Sequence, residues 1–241
     1  MRIRLPKPLH GWRAFIGEVG IIVLGVLIAL GAGQLVNAWQ WRQQVDLTTH
    51  TFKDELEGAS SAAYIRFAEQ PCISAQITAV RKKLQAPGVR WEPLARKDLP
   101  APTIEIPFAI EGWSNALASG TLNHLPYKQS LNLSSAYAAA REYSADERNE
   151  RDLVAKLDPL RTVSILSPEL RFSMLQTLSE LERTDENITF DSLDLLTALE
   201  AADLGFSSKS LRSYNAELLK MTRQSRGSCV RVPDIPEPPA G

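Results

Sequence analysis

Hydrophobic positions follow two different patterns along this chain. From Val19 to Trp41, 23 consecutive residues carry no formal charge, and most of them are apolar. Beyond this segment, apolar residues such as Val45, Phe52 and Leu56 recur at intervals of a few residues, which is the spacing of a helix that buries one face. The two patterns predict an all-α protein in which one apolar N-terminal helix continues into a bundle of amphipathic helices.

The apolar segment at residues 15–41 is long enough to cross a membrane. Its uncharged part would extend roughly 34 Å as a helix, whereas the hydrocarbon core of a bilayer is about 30 Å thick. Trp12 precedes the segment, and Trp39 and Trp41 end it; amphipathic aromatic rings favour the headgroup layers on both sides of a bilayer. We therefore predict a transmembrane helix at 15–41, with the lipid bilayer as its partner.

Charged residues orient the predicted span. Four basic residues precede it, and only Arg42 and Lys53 follow it within roughly twenty positions, so the positive-inside bias places the N-terminus in the cytoplasm. Residues 1–14 are then a cytoplasmic basic segment, and residues 42–230 form a helical domain on the outer side of the membrane. Glu18 lies one residue inside the cytoplasmic edge and is predicted to be an interface residue, because headgroup water can solvate its carboxylate there.

A cleavable signal peptide is the main alternative for this segment. A basic start, an apolar stretch and the sequence VNA at 36–38, which resembles a cleavage site, are all present. The apolar stretch is longer than the roughly 7 to 15 residues of a usual signal peptide, and polar Gln34 and Asn37 precede the closing tryptophans. The uncleaved anchor is therefore our prediction.

Small residues recur inside the span at a spacing of four. Gly25, Ala29 and Gly33 lie on one face of the predicted helix, where the backbones of two helices can approach closely. This pattern indicates a helix-packing face for a homo-oligomer. Glycine and alanine are also common in membrane helices without such a role, and the two interpretations stay open.

A short signature in and around the span resembles one family. The dipeptide GE at 17–18 opens the segment, GVLIAL at 25–30 lies within it, and NAW at 37–39 ends it. This order resembles an uncharacterised family of small bacterial single-pass membrane proteins with a G-E start, a G-[IV]-L-I-A-L segment and an N-x-W exit. Residues 113–125 also look similar to a segment found midway along such proteins, whereas residues 31–34 add roughly one helical turn before the exit. The resemblance implies a single-pass topology and no assigned chemistry.

The two cysteines of the chain, Cys72 and Cys229, both lie on the predicted periplasmic side. An even pair in an oxidising compartment predicts a disulfide. It would close a loop of about 158 residues and stabilise the fold by up to roughly 5 kcal/mol in the chain-entropy model. Two unrelated buried thiols are the alternative. The chain has no C-x-x-C motif, so little supports a redox-active or zinc site.

Proline and glycine positions divide the predicted helical domain. Pro71 fits the start of a helix, and five prolines between residues 87 and 112 exclude a helix there. An extended connection packed on the bundle is predicted instead. Trp113 begins a short helix that Gly120 ends, and Pro126 opens a long helix.

Start and stop signals predict the remaining elements. The polar stretch at 144–152 is either an exposed part of the long helix or a break with its own capping box. The elements that follow are a helix from Ser167 to about Arg183, a shorter helix from Asp191 to near Gly205, a last helix from Ser207 or Ser208 to about Arg226, and an extended or disordered proline-rich tail at 231–241.

Charge and motifs narrow the function classes. Beyond Arg42 the chain has 22 basic and 27 acidic residues and no dense basic cluster, which argues against a nucleic-acid-binding protein. None of the three histidines has a glutamate or another histidine at helical ligand spacing, and the chain has no phosphate-binding or dinucleotide-binding glycine motif. No metal, cofactor or catalytic residue is therefore predicted. The acidic cluster at 53–57 is interpreted as a solvated helix face.

The leading functional hypothesis is a bitopic inner-membrane protein without catalytic activity. Its periplasmic helical domain would bind, sense or scaffold, and its expected partners are a second copy of the chain and an unidentified envelope protein. Two alternatives stay open. One is a cleaved, soluble periplasmic helical protein. The other is an envelope enzyme or an accessory to one, which a cleft lined by buried carboxylates with shifted pKa values would favour.

Overall fold

The computed structural model describes residues 12–102, 104–202 and 204–233. Within these ranges the chain is helical and has no β-strand, which confirms the all-α prediction for them. Residues 1–11 of the predicted cytoplasmic segment and residues 234–241 of the predicted tail lie outside the described residues. The α-helices in the described ranges are α1 Trp12–Gln85, α2 Gly112–Ser119, α3 Tyr127–Lys156, α4 Pro168–Ala201, α5 Ser208–Tyr214 and α6 Ala216–Arg226.

The chain divides into two compact units, Met1–Leu47 and Thr48–Gly241, and α1 contributes residues to both. In the first unit every residue of α1 from 15 to 40 is exposed, and the exposed fraction reaches 73 % for Ile21 and 75 % for Leu35. Among the described residues, α1 is the one helix that is long and apolar enough to cross a membrane, judged by length and composition.

In the second unit, α1 buries one face. Phe52, Leu56, Ala59 and Ala63 are fully buried, and their spacings of three and four residues place them on the same side of a helix. Complete burial of a large apolar side chain stabilises a fold by roughly 1.5–3 kcal/mol. The core continues as a cluster shared by three helices: Ile73, Ile77, Val80 and Leu84 of α1, Leu153 of α3, and Met174, Leu178 and Leu181 of α4.

The proline-rich connection between α1 and α2 packs on this core, as predicted. Its described residues contain one 3-10 turn, Arg96–Asp98, and otherwise no helix. Trp91 and Leu94 are buried, and their backbone N–H groups donate to the carbonyl oxygens of Ser164 and Leu160 at 2.9 and 3.0 Å. The prolines prevent the connection from forming a helix. Its backbone N–H groups therefore form hydrogen bonds with a neighbouring segment instead.

Helix α2 begins and ends close to the predicted residues. Gly120 ends it with a positive φ of 77°, a conformation that glycine adopts without steric cost. At its start, the backbone N–H of Gly112 donates to both carboxylate oxygens of Glu55 at 3.0 Å. A Cβ atom at Gly112 would lie 2.6 Å from Glu55 Oε2, so a larger residue here would displace the Glu55 carboxylate.

The prediction that Pro71 begins a new helix is wrong, because α1 continues through it. Proline lacks the N–H that would donate to the carbonyl of Phe67. Packing on both sides compensates: Ala68 and Cys72 are buried. The carbonyl oxygen of Ala68 also accepts a hydrogen bond of 3.0 Å from the backbone N–H of Arg231, so the C-terminal segment contacts α1 beside the proline.

The predicted break between Arg183 and Asp191 is also wrong, because α4 runs without interruption from Pro168 to Ala201. The polar residues on either side of the predicted start at Asp191 form hydrogen bonds within the helix instead. Thr189 Oγ1 donates to the carbonyl oxygen of Asp185 at 2.8 Å, and Ser192 Oγ donates to that of Ile188 at 2.6 Å.

The last predicted helix is two helices. Ser207 caps α5, with its side chain accepting from the N–H of Ser210 at 3.1 Å, which agrees with one of the two predicted starts. Asn215 then separates α5 from α6, and its Nδ2 donates to the carbonyl oxygen of Leu211 at 2.9 Å. This side chain competes with the backbone for the carbonyl. The end at Arg226 agrees with the prediction.

Candidate functional site

The two cysteines meet as predicted. The Sγ atoms of Cys72, on α1, and Cys229, beyond α6, are 2.11 Å apart, and their Cα atoms are 5.2 Å apart. A bond here fixes the C-terminal segment to α1 near the Ala68–Arg231 hydrogen bond. The sequence indicates this pair through its even cysteine count alone.

The predicted span residues lie on the exposed part of α1, except Trp41 at its end. A Cβ atom added at Gly25 or at Gly33 would meet no other atom within 4 Å, so neither glycine is required by a close contact within the described chain. Trp12 packs beside Phe15 with ring centroids 6.0 Å apart, and Trp39 is exposed. Glu18 is likewise exposed, and Trp41 is half-buried.

A buried ionic cluster joins α1, α3 and α4. Arg66 Nη2 donates to Glu150 Oε1 and to Asp185 Oδ1, both at 2.6 Å. Ser74 Oγ donates to the second oxygen of Asp185 at 2.8 Å. The three charged side chains are at most 2 % exposed. Burial acts to lower the pKa of Arg66, but the two carboxylates outweigh it and raise that pKa, so the guanidinium stays charged.

The stretch at 144–152 is a continuous part of α3, so it is not a break with its own cap. It is also not fully exposed, because Glu150 is buried against Arg66. One turn earlier, Glu147 Oε1 accepts a hydrogen bond of 2.8 Å from the buried Tyr143 hydroxyl. Burial raises the pKa of Glu147 above its ordinary range.

The acidic cluster at 53–57 is likewise not a solvated face throughout. Glu55 is half-buried, and besides Gly112 it accepts a hydrogen bond of 2.7 Å from the Tyr137 hydroxyl. The pKa of Tyr137 is raised, first by burial and then by this carboxylate. Glu55 therefore anchors α2 and α3 to α1.

A cleft runs between the proline-rich connection and the helices. A smaller chamber of about 460 Å³ lies between the connection and α3, and Glu147 and Glu150 line it. A larger chamber of about 900 Å³ lies beside it. The two chambers share Pro102, Glu105 and Arg151 in their walls. We call the larger one the basic chamber, for the charges described next.

The basic chamber is lined by five cationic side chains and two carboxylates. The carboxylates are Glu105 and Asp158, and each has an arginine partner: Glu105 lies 3.4 Å from Arg151, and Asp158 lies 2.5 Å from Arg161. The cationic side chains are Arg96, Lys97, Arg151, Arg161 and Arg226. The lining therefore carries three more positive than negative charges.

Two polar side chains fix the wall of this chamber. Arg226 Nη1 donates to Gln76 Oε1 at 2.7 Å, and Arg226 Nη2 donates to the carbonyl oxygen of Ala101. Gln76 Nε2 in turn donates to the carbonyl oxygen of Lys97 at 2.8 Å. The connection is thus joined to α1 and to the end of α6.

The sequence did not reveal the ionic cluster or the basic chamber. The partners of Arg66 are 84 and 119 positions away from it, and the chamber collects residues from segments between 76 and 226. The one signal for the cluster in the sequence was an arginine in the apolar stretch between Ser60 and Ala68.

Within the described residues, no group of three or more histidine, cysteine, aspartate or glutamate side chains is placed to bind a metal ion. Comparison with protein-family models, with curated proteins and with solved structures finds no match for this chain. By its structure, the described part of the chain is an all-helical protein. It has one long apolar N-terminal helix and a packed helical unit that contains a polar cleft.

Proposed function

We propose that this chain is a single-pass membrane protein of the bacterial inner membrane, and that its helical unit is a periplasmic binding module. One observation carries the proposal: every residue of α1 from 15 to 40 is exposed, although most are apolar. Soluble proteins rarely expose continuous apolar surfaces of this extent. A lipid bilayer would cover this one over its whole length.

The cysteine pair supports the oxidising side for the helical unit. Cys72 and Cys229 lie at bonding distance within that unit, and disulfides persist in the periplasm and are rare in the cytosol. The basic residues before the span favour the same orientation, with the N-terminus in the cytoplasm. The resemblance of residues 17–39 to a family of single-pass bacterial membrane proteins is a prediction that agrees with this topology.

The cleft is the part of the helical unit that suits binding. Its larger chamber, at about 900 Å³, falls in the size range of small-molecule sites. The unit contributes no recognised catalytic motif, so we propose binding or sensing as its role. A homo-oligomer formed through Gly25, Ala29 and Gly33 remains part of the proposal and would present several such clefts on one membrane.

Fractionation of cells that express the full chain tests the anchor. We expect the protein in membranes after an alkaline carbonate wash, with the mass of the complete chain, 26.7 kDa. A soluble product that lacks the first residues up to about Ala38 would instead support the cleaved periplasmic alternative. A full-length chain in the soluble fraction would contradict both.

One observation favours the enzyme alternative. Glu147 and Glu150 line the same chamber, and burial raises the pKa of each, although the Arg66 guanidinium opposes the shift at Glu150. Because Glu150 is engaged by Arg66, Glu147 is the stronger candidate for an acid–base role. Turnover of glycoside or ester substrates that is lost in Glu147→Gln, with the fold intact, would support an enzyme; no turnover with either protein would leave binding as the proposal.

A further inference from the structure

The basic chamber has a charge opposite to that of the unit around it. From Thr48 onward the chain has 22 basic and 26 acidic residues, and yet the chamber lining has five cations and two carboxylates. A cluster of one charge inside a walled cleft focuses the local field and attracts the opposite charge. The remaining surface of the unit is correspondingly more acidic.

The cations of the chamber differ in how far they are already paired. Arg151 and Arg161 each contact one carboxylate, and Arg226 contacts Glu69, Gln76 and Ala101. Arg96 and Lys97 have exposed side chains, and no ion pair with them is found in the part of the chain that the structure describes. These two residues supply charge that no carboxylate among the described residues pairs with.

The turn that carries Arg96 and Lys97 is fixed in place. Leu99, directly after the turn, is buried in the core cluster, and the carbonyl oxygen of Lys97 accepts from Gln76. Asp98 Oδ2 accepts from the backbone N–H of Ala95 at 3.3 Å and closes the turn. A ligand would therefore not bear the cost of ordering this backbone.

The chamber also has an apolar part. Leu99, Pro102, Val154 and Ala155 contribute to its lining beside the cations. Small-molecule sites commonly combine apolar walls with a few convergent polar groups. The lining thus suits a ligand with a multiply charged anionic head and an organic body.

We propose that the basic chamber binds a phosphate-bearing small molecule, with Arg96 and Lys97 as its main cationic contacts. The net charge of the lining favours a phosphate group, which carries roughly 1.5 to 2 negative charges, over a single carboxylate. Guanidinium groups bind phosphate oxygens in a forked geometry. The inference deepens the binding role proposed above and rests on it, but it does not depend on the membrane anchor.

The phosphate group could belong to a lipid headgroup or to a soluble metabolite, and the test distinguishes these sources. The full chain is placed in nanodiscs of zwitterionic lipid and titrated by calorimetry with three phosphate probes that each carry more than one negative charge: pyrophosphate, glycerol 3-phosphate and the short-chain lipid dihexanoyl phosphatidic acid. We expect saturable binding that weakens as the salt concentration rises. Tighter binding of the lipid than of glycerol 3-phosphate would identify a headgroup site, and the reverse order would identify a soluble ligand.

The decisive variant is Arg96→Gln/Lys97→Gln. Both side chains are exposed, so the fold should be preserved, and we expect affinity for each bound probe to fall at least about tenfold. The matched control is Lys128→Gln/Arg141→Gln, which removes two exposed charges of α3 outside the chamber lining and should change affinity less than about twofold.

Equal affinity of Arg96→Gln/Lys97→Gln and its control for the bound probes would overturn the proposal. The absence of saturable binding for all three probes would also overturn it. Either result would leave the membrane anchor standing, because carbonate extraction tests that separately. A soluble chain that still bound phosphate through Arg96 and Lys97 would instead overturn the anchor alone.

Discussion

Two parts of one helix use their apolar residues in opposite ways. In the first unit, α1 exposes its apolar side chains all round, with Leu24 59 % exposed and Leu27 60 % exposed. In the second unit the same helix fully buries Phe52, Leu56 and Leu84 against other elements. Helix formation is common to both parts, so it does not explain the difference. The difference lies in which surroundings can cover each part. The second part has apolar residues on one side of the helix, which other elements of the protein can cover, whereas the first part has them on all sides, which lipid can cover.

The same contrast applies to charge. From Val19 to Trp41 the first part contains no charged residue, whereas the second part buries Arg66 at the centre of an ionic cluster. A buried charge is tolerated only where partners compensate for its lost hydration. The packed unit provides such partners on α3 and α4.

Removing the charge at the centre of the packed unit should destabilise the chain most. Arg66→Met leaves the carboxylates of Glu150 and Asp185 buried without compensation, and we expect it to lower the free energy of unfolding by about 3–5 kcal/mol. Chemical denaturation of the full chain in detergent, followed by near-ultraviolet circular dichroism, measures this. Arg66→Met/Glu150→Leu/Asp185→Leu should recover most of the loss, and a triple variant as unstable as the single one would count against the ionic explanation.

A matched pair of leucines tests the comparison directly. Leu56→Ala in the packed part should lower the free energy of unfolding by about 2–5 kcal/mol, because it opens a cavity in the core. Leu24→Ala in the exposed part should change the unfolding of the helical unit by less than about 0.5 kcal/mol. The same denaturation experiment serves for both. Similar losses for the two variants would mean that protein, and not lipid, covers the first part.

Removing the cysteine bond is expected to have the next largest effect. Cys72→Ser/Cys229→Ser frees the C-terminal segment from α1, and losses of about 2–4 kcal/mol are typical of a native disulfide. Denaturation with and without reductant measures it, and the wild-type chain under reductant should match the variant. Membrane retention should not change, because no cysteine lies in the exposed apolar part of α1. Unaltered stability in reductant would contradict a bond between Cys72 and Cys229.

A weaker effect than these losses is a pH dependence of the stability of the packed unit. Burial, together with the nearby Asp146 and Glu142 carboxylates, raises the pKa of Asp191 from 3.8 to about 6. The folded chain therefore favours the protonated carboxyl group of Asp191. The contribution of this proton to the free energy of unfolding is full below pH 3.8 and is lost as the pH rises through about 6. Because Asp191 is only partly buried, we expect a loss below about 1 kcal/mol.

Asp191→Asn isolates this contribution. The variant should be more stable than the wild type at pH 7.5 and equally stable near pH 4, and the difference should appear between these values. Membrane retention should be the same at both pH values. A wild type that is more stable than the variant at pH 7.5 would show that the Asp191 carboxylate is stabilising, against this account.

Elements defined by local signals could be predicted from the sequence. The proline prediction for the connection is correct, Gly120 ends α2, and Ser167 caps α4 through its side chain. In each of these cases the backbone constraint and its consequence lie within a few residues of each other.

Features that depend on contacts between residues far apart in the sequence could not be predicted. Pro71 lies inside α1 because packing on both sides of it outweighs one missing hydrogen bond. The polar stretch around Asp185 stays helical while that residue binds an arginine 119 positions away. Glu55 resembles a solvated acid in sequence, yet it meets Gly112 and Tyr137 only in the fold. A single sequence contains no record of which of these distant groups meet.

Thiol labelling on the two sides of the membrane tests whether α1 anchors the helical unit on the periplasmic side. Ser114→Cys adds an exposed thiol on α2, and Leu5→Cys adds one before the apolar segment. In spheroplasts, a membrane-impermeant maleimide should label Ser114→Cys at once and Leu5→Cys only after permeabilisation, with both proteins in the membrane fraction. Labelling of Ser114→Cys only after permeabilisation, or in a soluble protein, would contradict an anchored helical unit on the periplasmic side.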